Sequence, residues 1–236
     1  MYSPEIQKLF EKYPFDPLSQ IIYRYLYDQI IRLKIQPGSK LNISHLANDL
    51  NVSRTTIREA VTMLISDGLV LQDEQRRLTV TELNTYEMFD VYESRKILEL
   101  DAAKRLCEYI TDKEIKLLTK YAQDFKKAIE QRNYLATFEA DKNYHRLIID
   151  SCRNKYIKIM YQSIAGSVDR NLSYGTVVLT AKADDNYPFF SAAISQHFMI
   201  IRAFESGIPD NVATILNRHL EDATKVVSYP GAYLKL

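Results

Sequence analysis

Leu46-Ala47-Asn48-Asp49-Leu50-Asn51-Val52-Ser53-Arg54-Thr55-Thr56-Ile57-Arg58-Glu59-Ala60-Val61 is the stretch that decides the fold. It reads as two short helices, about Ser44 to Leu50 and about Arg54 to Ser66, joined by the three-residue turn Asn51-Val52-Ser53. Ser53 stands where a helix needs an N-cap, and Ile57, Val61 and Leu64 form the buried stripe of the second helix. Asp67-Gly68 closes that helix with glycine in the C-terminal capping place. Upstream, Ile22, Tyr25, Leu26, Ile30 and Leu33 mark a helix from about Leu18 to Leu33, stopped by the turn signal Gln36-Pro37-Gly38-Ser39. Downstream, Leu69-Val70-Leu71-Gln72 and Leu78-Thr79-Val80-Thr81 are β-prone runs around a polar Asp73-Glu74-Gln75-Arg76-Arg77, which reads as a hairpin. Helix, helix-turn-helix and hairpin in this order make a winged helix. Its second motif helix is the one that enters a major groove, and Arg54, Thr55 and Arg58 lie near the start of it. Arginine there can pair with guanine O6 and N7 or with phosphate, while threonine hydroxyls and the helix N-terminus suit phosphate oxygens.

From Asn84 onward no strand pattern recurs, and about six helices are expected. Their stripes run Met88, Val91, Leu98, Ala102, Leu106; Ile115, Leu118, Ala122, Phe125, Ile129; and Tyr134, Phe138, Ile148, Cys152. They continue as Ile157, Met160, Ile164, Val168; Phe189, Ala193, Ile200, Phe204; and Val212, Leu216, Ala223, Val226. Of the four histidines in the chain, His145, His197 and His219 fall on these stripes, and Asp141 lies one helical turn before His145 on the same face. A buried aspartate is costly unless paired, and three neutral imidazoles with one carboxylate suit a divalent transition metal. The alternative for each histidine is a core imidazole satisfied by a backbone carbonyl. Arg95 occupies the stripe position between Val91 and Leu98 and needs an anion there, either an internal carboxylate such as Glu99 or Asp141 or the carboxylate of a ligand. Asn171 is a further candidate to hydrogen-bond a ligand, and His45 reads as a solvated helix residue.

The 236 residues suit two domains: a winged helix-turn-helix over 1–82 and an all-α bundle over 83–236, so the fold class is mainly α. Thirty-one Lys+Arg against thirty Asp+Glu leave a formal charge of +1, and any DNA-binding surface must be local. Cys107 and Cys152, with no Cys-x-x-Cys, exclude a disulfide framework and a Cys-based zinc ribbon, and fit the reducing cytoplasm. Neither a signal peptide nor a membrane span is expected, because the N-terminal segment carries Glu5, Glu11 and Asp16 and nowhere do eighteen apolar residues run together. Six glycines and the lack of Gly-x-Gly-x-x-Gly or Gly-Lys-Ser/Thr argue against a phosphate-cradling loop.

The stretch Leu46 to Val61 with Asp67-Gly68-Leu69-Val70 resembles the winged helix of the GntR family of bacterial transcription regulators. The resemblance implies DNA contacts by Ser53, Arg54, Thr55, Thr56 and Arg58, and a hairpin tip around Gln75 and Arg76 that reaches the minor groove. This chain departs from the family in having Ser44-His45 where a charged residue often opens the first motif helix, and Arg77 where the wing has a glycine. Residues from about 84 to 228 resemble the FCD-type ligand-binding domain of the FadR-like branch, and Asp141, His145, His197 and His219 match its metal-ligand positions in order. The resemblance implies a homodimer that binds a small organic acid in the bundle. The expected function is therefore a metabolite-responsive repressor on an inverted-repeat operator. Its metal would be zinc first, with nickel, manganese or iron as alternatives, and Arg95 and Asn171 would contact the acid. A metalloenzyme with an appended DNA-binding module is the rival, opposed by the lack of a His-Glu-x-x-His motif. A purely structural metal is the third reading, and it would leave Arg95 paired internally.

Overall fold

The computed structural model describes residues 2–181 and 183–227, apart from the side chains of 85, 177–181, 183–187, 226 and 227. The side chain of Val226, on the last stripe, and the end of the expected second domain, 228–236, lie outside what is described. The chain is mainly α, with ten helices and a three-stranded sheet among the described residues. It divides into two compact units, Met1–Leu83 with Ala165–Arg170, and Asn84–Ile164 with Asn171–Leu236.

The first unit holds α1 (Pro4–Lys12), α2 (Leu18–Ile31), β1 (Lys40–Leu41), α3 (Ile43–Asp49), α4 (Arg54–Ser66), β2 (Val70–Gln72) and β3 (Leu78–Val80). Helices α3 and α4 form the helix-turn-helix. Asn51 makes their turn: at φ 52° it takes the left-handed conformation, and the Val52 amide donates to the Ala47 carbonyl at 3.0 Å, satisfying a carbonyl at the end of α3. Helix α4 ends the same way, with Gly68 at φ 70° and the Leu69 amide donating to the Leu64 carbonyl at 2.9 Å. Its inner face, Ile57, Ala60, Val61 and Leu64, is buried and packs on α2. The strands run antiparallel in the order β1-β3-β2, with Lys40 opposite Thr79 and Val70 opposite Val80.

Two elements are absent from the sequence expectation. Helix α1 is built by a Ser3 cap that accepts from the Ile6 amide and by Pro4 in the first turn, and it buries Ile6 completely. Strand β1 is two residues long, too short for any periodic signal. In the wing, the left-handed residue is Arg76 at φ 61°, not Arg77, which instead closes the hairpin by accepting from the Asp73 amide at 3.1 Å. The first unit also takes in six residues of α8, a packing that contiguous domains of 1–82 and 83–236 do not anticipate. Gly166 permits it, since a Cβ there would stand 2.6 Å from the carbonyl oxygen of Asp67.

The second unit contains α5 (Thr85–Cys107), α6 (Asp112–Glu130), α7 (Tyr134–Ser151), α9 (Ala183–Glu205), α10 (Pro209–Val227) and the rest of α8 (Lys155–Ala181). Helix α5 packs on α7, α7 on α6, α6 on α9, α9 on α10, and α10 back on α5. These five helices close a ring whose inner positions carry the three striped histidines. Two stripe residues are corrected. Tyr134, the first residue of α7, is 39% exposed. Met160 is 48% exposed because the buried seam of α8 runs Ile157, Tyr161, Ala165, Val168, choosing the i+4 step where i+3 was expected.

Candidate metal centre and recognition helix

On α4, Arg54, Thr55 and Arg58 are exposed on the face opposite the buried stripe. The Ser53 hydroxyl accepts from the Thr56 amide at 3.0 Å and also meets the Thr56 hydroxyl at 2.8 Å, so Ser53 and Thr56 build the cap of the helix. In the wing, Arg77 donates through Nε to Asp73 Oδ2 at 2.6 Å and through a terminal nitrogen to Gln75 Oε1 at 3.1 Å, while Arg76 is exposed at the tip. Arg77 is thus a brace across the loop, and the glycine expected there is replaced by an internal ion pair. His45 is solvent-exposed and meets Asp49 at 2.9 Å.

In the second unit Asp141, His145, His197 and His219 converge: each offers one ligand atom, and these atoms all lie within 4.8 Å of one another, all four side chains being buried. Helix α7 supplies Asp141 and His145 one turn apart, α9 supplies His197 and α10 supplies His219. Their tautomers follow from what lies behind them. Burial would raise the Glu99 carboxyl, but Arg95 and His145 outweigh it and hold it down at about 2, so Glu99 can only accept. His145 Nδ1, 2.7 Å from Glu99 Oε2, must therefore donate, which leaves Nε2 as the nitrogen that faces the cluster. Behind His219, Gln196 donates through Nε2 to Asp222 at 2.8 Å, which turns its Oε1 toward His219 Nδ1 at 3.0 Å. His219 Nδ1 must then donate as well. The two Nε2 atoms face each other 3.2 Å apart, so unless a second proton on His145 bridges them they meet lone pair to lone pair.

His197 completes the case. Neither of its ring nitrogens has a hydrogen-bond partner in a fully buried side chain, although Nε2 comes within 3.3 Å of Asp141 Oδ1. Burial pushes His197 and His219 below the ordinary histidine range, which keeps both neutral. Burial opposes ionisation of Asp141, so its carboxylate needs a positive charge beside it, either on the imidazoles or on an ion between them. A cation resolves all of these at once, because metal bonds of about 2.0–2.2 Å place neighbouring ligand atoms ~3 to 4 Å apart and use just the lone pairs left over. Stacking fixes the least tethered ring: Tyr144 lies 4.3 Å from His197 between centroids and Phe125 meets it edge-on at 4.8 Å, while the Tyr144 hydroxyl donates to the His197 carbonyl at 2.9 Å.

Beside this cluster lies a cavity whose lining, among the described residues, includes the polar side chains of Arg95, Thr137, Asp141, Thr176 and His219. Arg95 reaches it with its charge already matched, since its Nε donates to Glu99 Oε1 at 2.5 Å inside the protein. Asn171 is buried with no hydrogen-bond partner for Oδ1, and it is not among the residues that line the cavity. Glu99 was legible only as a possible partner for Arg95, and Gln196 and Asp222 carried no signal beyond their nearness to His197 and His219 in the chain.

Residues 18–80 match the model of the bacterial regulatory proteins of the gntR family, and residues 90–222 match the FCD domain. The chain belongs to the GntR family. More narrowly, it is a GntR regulator with an FCD domain, and so a DNA-binding transcription regulator rather than an enzyme with an appended module. It is 26% identical over 216 residues to the HTH-type transcriptional repressor RspR of Escherichia coli K12, covering 91% of this chain and 90% of that one. It is 24% identical to the gluconate operon transcriptional repressor of Bacillus licheniformis, covering 82% of this chain and 78% of that one. Among solved structures, E. coli McbR/YncC has the same fold with a TM-score of 0.76 at 17% identity, over 91% of this chain and 98% of that one. FCD domains commonly bind metal, and this GntR regulator has a buried Asp/His3 group able to hold one.

Proposed function

We propose that this GntR regulator is a metal-dependent, metabolite-responsive repressor. Asp141, His145, His197 and His219 hold one divalent transition metal, and a small carboxylic acid docks against it from the adjoining cavity. The observation that carries this reading is that Asp141 and His219 belong both to the ligand cluster and to the cavity wall. An ion held there would supply a positive centre with coordination positions left for a carboxylate, in surroundings where screening is weak. Three imidazoles with one carboxylate suit zinc, and also nickel, manganese or iron. Arg54, Thr55 and Arg58 read the operator, Ser53 and Thr56 set the helix N-terminus against phosphate, and Gln75 and Arg76 carry the wing to the minor groove. The protein acts as a homodimer on an inverted repeat, in the cytoplasm, with residues 1–82 as the DNA-binding domain and 83–236 as the effector domain.

The internal pairing of Arg95 with Glu99 favours a second reading, in which the metal only braces the bundle. Calorimetric titration of organic acids into metal-loaded and chelated full-length protein separates the two. Acid binding that disappears with the metal supports the effector site. Acid binding indifferent to the metal, or no acid binding with full metal occupancy, leaves the structural role alone.

A further inference from the structure

Among the described residues, the cavity beside the metal centre is lined mainly by apolar side chains. Arg95, Thr137, Asp141, Thr176 and His219 supply its polar atoms, and the remaining wall is built by Phe125, Leu172, Phe189, Phe190, Ala193 and Ala223, with Tyr92 beside Arg95. Arg95 is neutralised by Glu99 at 2.5 Å, and neither side chain is more than 2% exposed, so that pair contributes no net charge to the cavity. A divalent ion held by Asp141 and three neutral imidazoles keeps a net charge of about +1, which one carboxylate cancels. Among the described lining residues a second carboxylate would find no further cation, and the hydroxyls of a polyol chain would lose their water against mostly apolar side chains. The apolar wall instead gives favourable burial to hydrocarbon or a ring.

We infer that the effector is a monocarboxylic acid with an apolar body, aromatic or branched aliphatic, and neither a dicarboxylic acid nor a sugar acid. This rests on the metal-docked acid proposed above and specifies its substituent.

Four 2-hydroxy acids with the same metal-facing head test it: 3-phenyllactate, 2-hydroxyisocaproate, malate and gluconate, titrated calorimetrically into full-length zinc-loaded protein and into chelated protein. At least one of the two apolar acids should bind ten times or more tighter than malate and gluconate, with a more negative heat-capacity change. In Phe189→Gln, on the half-buried wall and away from the metal ligands, that preference should fall at least fivefold while malate binding stays as it was. Malate or gluconate binding as tightly as the apolar acids, in a metal-dependent way, would overturn the apolar-body assignment and leave the metal-docked acid standing. An undiminished preference in Phe189→Gln with normal metal content would also overturn it, by moving the body elsewhere. Binding untouched by chelation, or binding of none of the four, removes the metal-docked acid and this inference with it.

Discussion

Glu99 and Gln196 do for two histidines what no ligand can do for itself: each forces a ring nitrogen to carry its proton on the side away from the centre. Glu99→Gln should lower metal affinity about 10–100-fold, measured by competition with a chromogenic chelator, because an amide can orient His145 either way. It should also destabilise the protein more than Gln196→Leu does, since it leaves Arg95 charged and buried without its anion, a loss of about 3–5 kcal/mol in comparable buried pairs. Gln196→Leu should reduce metal affinity similarly with a smaller fall in Tm. If Glu99→Gln binds metal as the native protein does, the tautomer argument fails. At the other end of the chain, Arg54→Ala and Arg58→Ala should each cost about 1–3 kcal/mol of operator affinity if the arginine reads a base. A phosphate contact would instead weaken all sequences alike. Fluorescence anisotropy with operator and scrambled duplexes at fixed salt distinguishes these, with Tm and metal content expected to stay unchanged.

Elements in this protein end where a left-handed residue can be placed. Asn51, Gly68 and Arg76 all take positive φ, but only Gly68 does so without a Cβ. Gly68→Ala should destabilise by about 1–2 kcal/mol, because the strain of the left-handed conformation is unavoidable while the nearest outside atom, Ser167 Oγ at 3.5 Å from the new Cβ, is not a clash. Arg76→Gly should act in opposite directions on two measurements: thermal unfolding improves by a few tenths to about 1 kcal/mol as strain is relieved, whereas operator affinity falls if the guanidinium enters the minor groove. Equal operator affinity for Arg76→Gly and the native protein would take Arg76 out of the interface. The Asp73–Arg77 pair is solvent-exposed at the loop, so its contribution is to shape more than to stability.

For the molecule as a whole, metal and fold are linked. A metal held only by the native state raises stability by mass action, about 4 kcal/mol at a thousandfold excess over Kd, so chelation should lower Tm and native protein should carry about one metal per chain. The pH dependence has a definite sign. His197 and His219 sit below their ordinary value of 6.5 in the folded chain, so the unfolded state takes up protons first and stability falls as pH drops below 6.5. Glu99, depressed from 4.5 to about 2, adds a second loss across that lower window. Scanning calorimetry of the metal-free protein from pH 8 to 3 should show both. Sedimentation at micromolar concentration should give a dimer, and a monomer that binds a single half-site would sink the inverted-repeat assignment.

The winged helix was legible because its signals are local: a cap at Ser53, a glycine at 68, apolar residues one helical turn apart and a two-run hairpin each act within a few residues. The four candidate ligands were legible for a related reason, since Asp141 and three histidines standing on apolar stripes are out of place unless something pairs them. Stripe phase was not secure, as Met160 shows: i+3 and i+4 are equally good helix neighbours, and only the partner helix chooses between them. The partner of Arg95, the proton positions set by Glu99 and Gln196, and the apolar wall facing the metal depend on helices that meet across a closed ring, 46 residues apart for Glu99 and His145. Distances of that kind have no periodicity in the chain, so tertiary packing alone decided them.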